Sequence, residues 1–141
     1  MPQNLTIHYD IDGTDFSVAG QASSNLKKVL QQLGVAPEVI RKAAISMYEG
    51  EINTVIHGKG GTADVEISPK QLTITFKDNG PGIQDIQQAM QEGFSTATDE
   101  ARAMGFGAGM GLPNMKKYSD TLNISSQVGV GTTVEIIILL T

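Results

Sequence analysis

The apolar residues of this chain fall into alternating runs that meet at short turns instead of at helices, and this restricts the fold more than any other feature. Leu5, Ile7, Tyr9 and Ile11 alternate with polar residues, the pattern of a strand with one face buried. Asp12-Gly13 is a turn signal, and Phe16-Ser17-Val18 reads as the returning strand. Val65 and Ile67 make a second pair with Leu72, Ile74 and Phe76 around the turn Pro69-Lys70. A third pair, about 121–127 and 132–140, meets at Val128-Gly129-Val130-Gly131. Helices fall between the hairpins. Ser23 or Ser24 can cap a helix carrying Leu26, Val29, Leu30 and Leu33 and closed by Gly34, and Pro37 opens a long second helix that runs to about His57-Gly58. Shorter helices are expected over 84–92 and about 112–118. Hairpins kept apart from helices predict an α+β fold: a two-layer α/β sandwich whose mixed, mostly antiparallel sheet carries helices on one face.

One domain is expected over residues 1–141. With aromatic residues at 5%, its core must be built from Ile, Leu, Val, Met and Ala. The chain has no cysteine, which excludes disulfides, Cys-based metal sites and a thiol nucleophile. Two histidines, His8 and His57, argue against a structural zinc. No run approaches the roughly 20 apolar residues that span a bilayer, and Met1-Pro2-Gln3-Asn4 does not start a signal peptide. The expectation is a cytoplasmic protein without a membrane role. A net charge of −5 argues against direct nucleic-acid binding.

Two places carry chemistry. On the second helix Glu49, Asn53 and His57 recur at i, i+4 and i+8, with Ser46 and Lys42 in the same arc. Ile40, Ala44, Met47, Tyr48, Ile52 and Val55 take the broader opposite side, and Glu51 lies about 200° from Glu49 by the helical period. A solvated face is usually Lys and Glu; here a carboxylate, a carboxamide and an imidazole stand in a row. An Asn oxygen can coordinate Mg²⁺, and a carboxylate one turn earlier can polarise a water or hydroxyl. The second place is Asp78-Asn79-Gly80-Pro81-Gly82-Ile83, where Asp78 continues the inward face of Leu72, Ile74 and Phe76. An inward carboxylate needs a donor. The amino group of adenine is one; an exposed Asx turn is the plainer reading. Further on, Gly105-Phe106-Gly107-Ala108-Gly109-Met110-Gly111-Leu112 runs into a helix, so its backbone N–H groups make an anion site. It lacks the Lys-Ser/Thr ending of a P-loop.

The order of these pieces resembles the N, G1 and G2 boxes of the ATPase/kinase superfamily shared by gyrase, Hsp90, histidine kinases and MutL: Glu49-x-x-x-Asn53-x-x-x-His57, Asp78-x-Gly80-x-Gly82, Gly109-x-Gly111-Leu112, then Gly129-x-Gly131-Thr132. The likeness covers about 40–140. The stretch Tyr48 to Gly58, above all Asn53-x-x-x-His57-Gly58, is most similar to bacterial anti-sigma-factor serine/threonine kinases. The resemblance implies a Bergerat ATP-binding fold, with ATP and Mg²⁺ as ligands. It implies that Asn53 coordinates Mg²⁺, that Glu49 is the general base and that His57 lies near the phosphates. Asp78 would accept from the adenine amino group, with Gly80, Gly82 and Ile83 shaping the pocket. Gly107, Ala108, Gly109, Met110, Gly111 and Leu112 would wrap the phosphates at the end of a lid spanning about 84–111, and Thr132 would support adenine through water. The implied activity is phosphorylation of a serine on a small antagonist protein. The alternative is a nucleotide-gated binding switch with little transfer, which would not need Glu49. A detached histidine-kinase domain would need a second protein, and a gyrase-like or MutL-like ATPase would need a following domain. The N-terminal strands, Leu5 to Val18, are a candidate homodimer edge.

Overall fold

The computed structural model describes residues 4–13, 20–56, 60–82 and 111–140. Among them run β1 (Leu5–Asp12), α1 (Gln21–Gln32), α2 (Pro37–Ile56), β2 (Gly60–Ile67), β3 (Gln71–Asp78), α3 (Gly111–Tyr118), β4 (Thr121–Gln127) and β5 (Gly131–Leu139). The strands form one sheet in the order β1-β2-β3-β5-β4. Every pairing is antiparallel, the antiparallel limit of the sheet expected. The returning strand at Phe16–Val18 and the helix over 84–92 lie outside the described residues.

The alternation read in the sequence explains the layers. Ala63, Val65 and Ile67, Leu72, Ile74 and Phe76, and Val134, Ile136 and Ile138 all turn to one face and are buried there. The other face is mostly polar, Ile137 and Leu139 excepted, with side-chain pairs such as Asn123 to Glu135 at 3.0 Å and Asn4 to Glu66 at 3.2 Å. On it His8 stands between Asp64 and Asp10, at 2.6 and 3.0 Å, and these carboxylates hold its pKa above the usual 6.5. The helices cover the apolar face. α2 lies against it, and α1 and α3 pack on α2. The approach is close because residue 50 is glycine: a Cβ there would sit 2.2 Å from the Phe76 ring.

Two sequence expectations need correction here. α1 starts at Gln21 with Gly20 as its N-cap, not at Ser23 or Ser24, and Ser23 only returns its hydroxyl to Gly20 O at 2.9 Å. Its first donors are satisfied from far away: the Glu51 carboxylate accepts from Ala22 N at 3.1 Å and Ser23 N at 3.2 Å. An anion at a helix N-terminus is favoured by the helix dipole. Glu51 is only 3% exposed, so this link fastens α1 to α2 inside the protein. Glu51→Gln is expected to cost about 1–2 kcal/mol, the usual scale for losing a cap, read as a lower urea midpoint; an unchanged midpoint would deny Glu51 this role.

The second correction concerns the sides of α2. The helix has no single apolar arc. Ser46, assigned to the polar stripe, is fully buried, whereas Tyr48, assigned to the apolar side, is 39% exposed. The reason is that α2 is flanked on both sides, so burial reaches beyond the sheet-facing arc.

Candidate functional site

α2 divides its two glutamates between its flanks. Glu51 turns to α1, and the Tyr48 ring lies on the same flank, against Gly20. Glu49 turns to α3, where the Asn114 side chain pulls the pKa of its carboxyl down against the effect of burial. Arg41, two turns before Glu49, stands 5.7 Å over the Tyr118 ring at the other end of α3. Contacts that climb α2 therefore descend α3, and the two helices run antiparallel along this seam. That brings the start of α3, at Gly111 and Leu112, toward Asn53, one turn beyond Glu49. Pro113 is tolerated because it lies in the first helical turn, and Lys116 and Lys117 suit the last.

Glu49 is half-buried, and desolvation by that burial raises its pKa above 4.5, with the Asn114 hydrogen bond pulling the other way. The folded protein thus holds the Glu49 proton more tightly than the unfolded chain. The stability this contributes is present below the ordinary value and is lost as pH rises through the raised one. Asn53 is half-buried too, and its carboxamide makes no hydrogen bond among the described residues. Ser46, one turn before Glu49, is the only fully buried side chain among them with an unpaired polar atom, its Oγ. An orphan hydroxyl of this kind costs about 1–3 kcal/mol. Ser46→Ala is accordingly expected to be neutral or stabilising in thermal denaturation, and a clear loss would show that the hydroxyl has a partner.

Asp78 closes β3. Its Oδ1 accepts from Gly80 N at 2.9 Å and from Thr132 N at 3.2 Å. The first bond is the Asx turn of the plainer reading; the second ties the turn to β5. Oδ2 has no hydrogen bond among the described residues. β5 can come this close because residue 131 is glycine: its φ is 145°, and a Cβ there would meet Asp78 O at 2.1 Å. Gly82, with φ 82°, likewise lies so close to the β4–β5 hairpin that a Cβ would stand 2.5 Å from Gln127 O, and Gly129 N donates to Pro81 O at 2.8 Å. The hydroxyls of Thr132 and Ser126 pair at 2.9 Å beside Asp78. Phe76, two residues earlier on the same face, lies against Gly50 of α2, the residue after Glu49.

Of the residues singled out in the sequence, Glu49, Asn53, Asp78, Gly80, Gly82, Gly111, Leu112 and Thr132 are described; Asp78, Gly80 and Thr132 are joined by hydrogen bonds, while Glu49 and Asn53 follow one another along α2. Leu112 serves the hydrophobic core at 6% exposure. His57, Ile83, Gly107, Ala108, Gly109 and Met110 lie outside the described residues. Two concavities, about 510 Å³ beside Gly20, Lys28 and Tyr48 and about 310 Å³ beside Tyr9, Asn25 and Glu51, are on the α1 side and not at this site. Sequence reasoning missed two residues. Ser126 was legible, because it stands opposite Thr132 in the hairpin register. Asn114 was not, since nothing local says which helix its face meets.

Residues 42–141 match the model of a known family, the histidine kinase-, DNA gyrase B- and HSP90-like ATPases. The chain belongs to that family. Among relatives of this ATPase-family chain, the anti-sigma F factor of Thermoanaerobacter sp. (strain X514) is 37% identical over 108 residues, 73% of this chain and 72% of the relative. The serine/threonine-protein kinase RsbT of Bacillus subtilis (strain 168) is 32% identical over 126 residues, 87% of each. The fold of this family member is shared with a structure of the RsbU and RsbW domains of Rv1364c from Mycobacterium tuberculosis, with a TM-score of 0.65 and 17% identity. That likeness covers 96% of this chain but only 32% of that longer one. It is also shared with the SiaB–SiaC complex from Pseudomonas aeruginosa, with a TM-score of 0.57, 10% identity and coverage of 98% and 91%. No helix among the described residues is long and apolar enough to cross a membrane.

Proposed function

We propose that the chain binds ATP with Mg²⁺ between α2 and the Asp78 turn and transfers the terminal phosphate to a serine or threonine of a partner protein. The observation that supports this most is the state of Asp78. Two backbone N–H groups hold Oδ1, so the side chain is fixed, and Oδ2 remains to accept from an adenine amino group. The paired hydroxyls of Thr132 and Ser126 stand beside it to support the base, directly or through water.

The residues fit a nucleotide-borne metal. Among the described residues no three His, Cys, Asp or Glu side chains converge on a metal centre. Mg²⁺ commonly takes one or two protein ligands, with phosphate oxygens and water filling the rest. Asn53, with its uncommitted carboxamide, would be that ligand, and the ion would neutralise charge on the phosphates. Glu49, one turn away, would accept the proton of the attacking hydroxyl. Its raised pKa suits that task, because a base works best with a pKa near the working pH. The start of α3, with the glycine-rich residues before it, would supply N–H groups to the phosphates, and His57 would stand near them.

The names of the relatives support a protein partner: a sigma factor or its antagonist, as for an anti-sigma factor, and a protein hydroxyl, as for a serine/threonine kinase. The first name also favours a second reading, in which ATP sets partner affinity and little phosphate moves. One experiment separates them: titrate the protein with Mg-ATP by calorimetry, capture partners with and without ATP, then follow labelled phosphate. Binding heat with ATP-dependent capture and labelling of the captured protein is expected. Capture without labelling would select the switch, and no heat at millimolar Mg-ATP would end both.

A further inference from the structure

We propose that a pH-sensitive clasp holds β1 to β2: protonated, His8 bridges Asp64 and Asp10; neutral, it cannot hold both. The clasp owes nothing to the ATP site. β1 ends the sheet order among the described residues, so one flank of it has no strand to hold it there. Nδ1 of His8 lies 2.6 Å from an oxygen of Asp64, directly across the ladder on β2, and Nε2 lies 3.0 Å from an oxygen of Asp10, two residues on along β1. Carboxylate oxygens only accept, and a neutral imidazole has a single N–H; only the imidazolium donates from both nitrogens. The observed arrangement therefore calls for the protonated ring. Neutral His8 would turn a nitrogen lone pair on one carboxylate or the other. While the proton stays, both bonds are charge-assisted.

Among the described residues only His8 pairs with Asp64 or Asp10. The same face of β1 and β2 also carries Asp12 and Glu66, the latter taking Asn4 at 3.2 Å. Its nearest cation in register, Lys77, stands on β3 opposite Thr62, and Thr75 is the next residue in the row of His8 and Asp64. The opposite face meets α1, where Tyr9, the residue after His8, donates to Asn25 at 2.6 Å. A loosened β1 would therefore loosen that tie to α1 as well. The bond to Asp64, then that to Asp10, raises the pKa of His8 above 6.5. The folded state thus holds the proton more tightly than the unfolded chain. The clasp is at full strength below 6.5 and fades as pH rises through the raised value. All three side chains reach water, so salt screens the clasp and its effect is local to β1.

Full-length chain labelled with ¹⁵N-histidine tests this, since it holds only two histidines. With His8 assigned by the loss of its signals in His8→Gln, its titration midpoint should lie above 6.5, with both ring nitrogens protonated below the midpoint. Asp64→Asn and Asp10→Asn should each lower it, the first by more, while His57 stays in place. Amide hydrogen exchange, corrected for its intrinsic pH dependence, then reads the strand. Protection of the β1 amides paired with β2, relative to those of β3, should fall about 2- to 5-fold from below the midpoint to above it, the scale of an exposed ion pair. The fall should shrink at high salt. In His8→Gln the β1 protection should not change over that range, and Asp64→Asn, which keeps the ring but removes its cross-strand partner, should be equally flat. A His8 midpoint at or below 6.5 overturns the proposal. So does β1 protection that is constant in the unaltered protein, or that falls equally in both variants.

Discussion

Changing Asp78 to asparagine is expected to weaken ATP binding by roughly 10- to 100-fold, the scale of a lost hydrogen bond to a charged group. The exchange is isosteric. The carbonyl oxygen of the new side chain can still accept from Gly80 N and Thr132 N, so the turn and its tie to β5 survive. What changes is the second atom of the group. An oxygen that could accept from the adenine amino group becomes an NH₂ that can only donate, and two donors then face each other. Affinity for inorganic tripolyphosphate should stay the same, because the phosphates are held elsewhere. Calorimetry with both ligands decides the matter: equal losses would deny Asp78 its adenine role. Asp78→Ala is the less informative change, since it also orphans two backbone donors and would confuse folding with binding.

The second large effect is expected at Glu49. Glu49→Gln should leave Mg-ATP binding nearly unchanged and cut phosphotransfer by about 10²- to 10⁴-fold, the range for removing a general base. In the unaltered protein the rate should fall as pH drops through the raised Glu49 pKa, because only the carboxylate can take the proton. The same variant carries a stability signature of opposite sense. Glutamine carries no charge to desolvate, so Glu49→Gln should melt higher at neutral pH, and this gain should disappear below the ordinary carboxylate value, where Glu49 is neutral as well. A variant that transfers phosphate at the wild-type rate would exclude Glu49 as base. A variant that melts lower at neutral pH would contradict the burial argument. Together the two signs express a familiar trade, in which an active group is held where it costs stability.

What the sequence determined by itself was everything with a local period. A strand shows one face every second residue and a helix every three to four. That periodicity fixed the strands β1 to β5, the β2–β3 and β4–β5 hairpins and the long helix from Pro37, but not the pairing of β1 with β2. It placed Glu49 in line with Asn53, set Glu51 on another side, and kept Asp78 on the inward face of Leu72 and Phe76. The order of the polar pieces was enough to resemble the family that the chain proves to belong to. Tertiary structure decided which faces meet, because burial and long-range hydrogen bonds depend on neighbours that the local pattern does not encode. Ser46 looked solvated and is buried, since α2 is flanked on both sides. The start of α1 looked serine-capped and is held by Glu51, 28 positions after Ser23 in the chain. Thr132 donates to Asp78 only because Gly131 lets β5 come within contact of the Asp78 backbone.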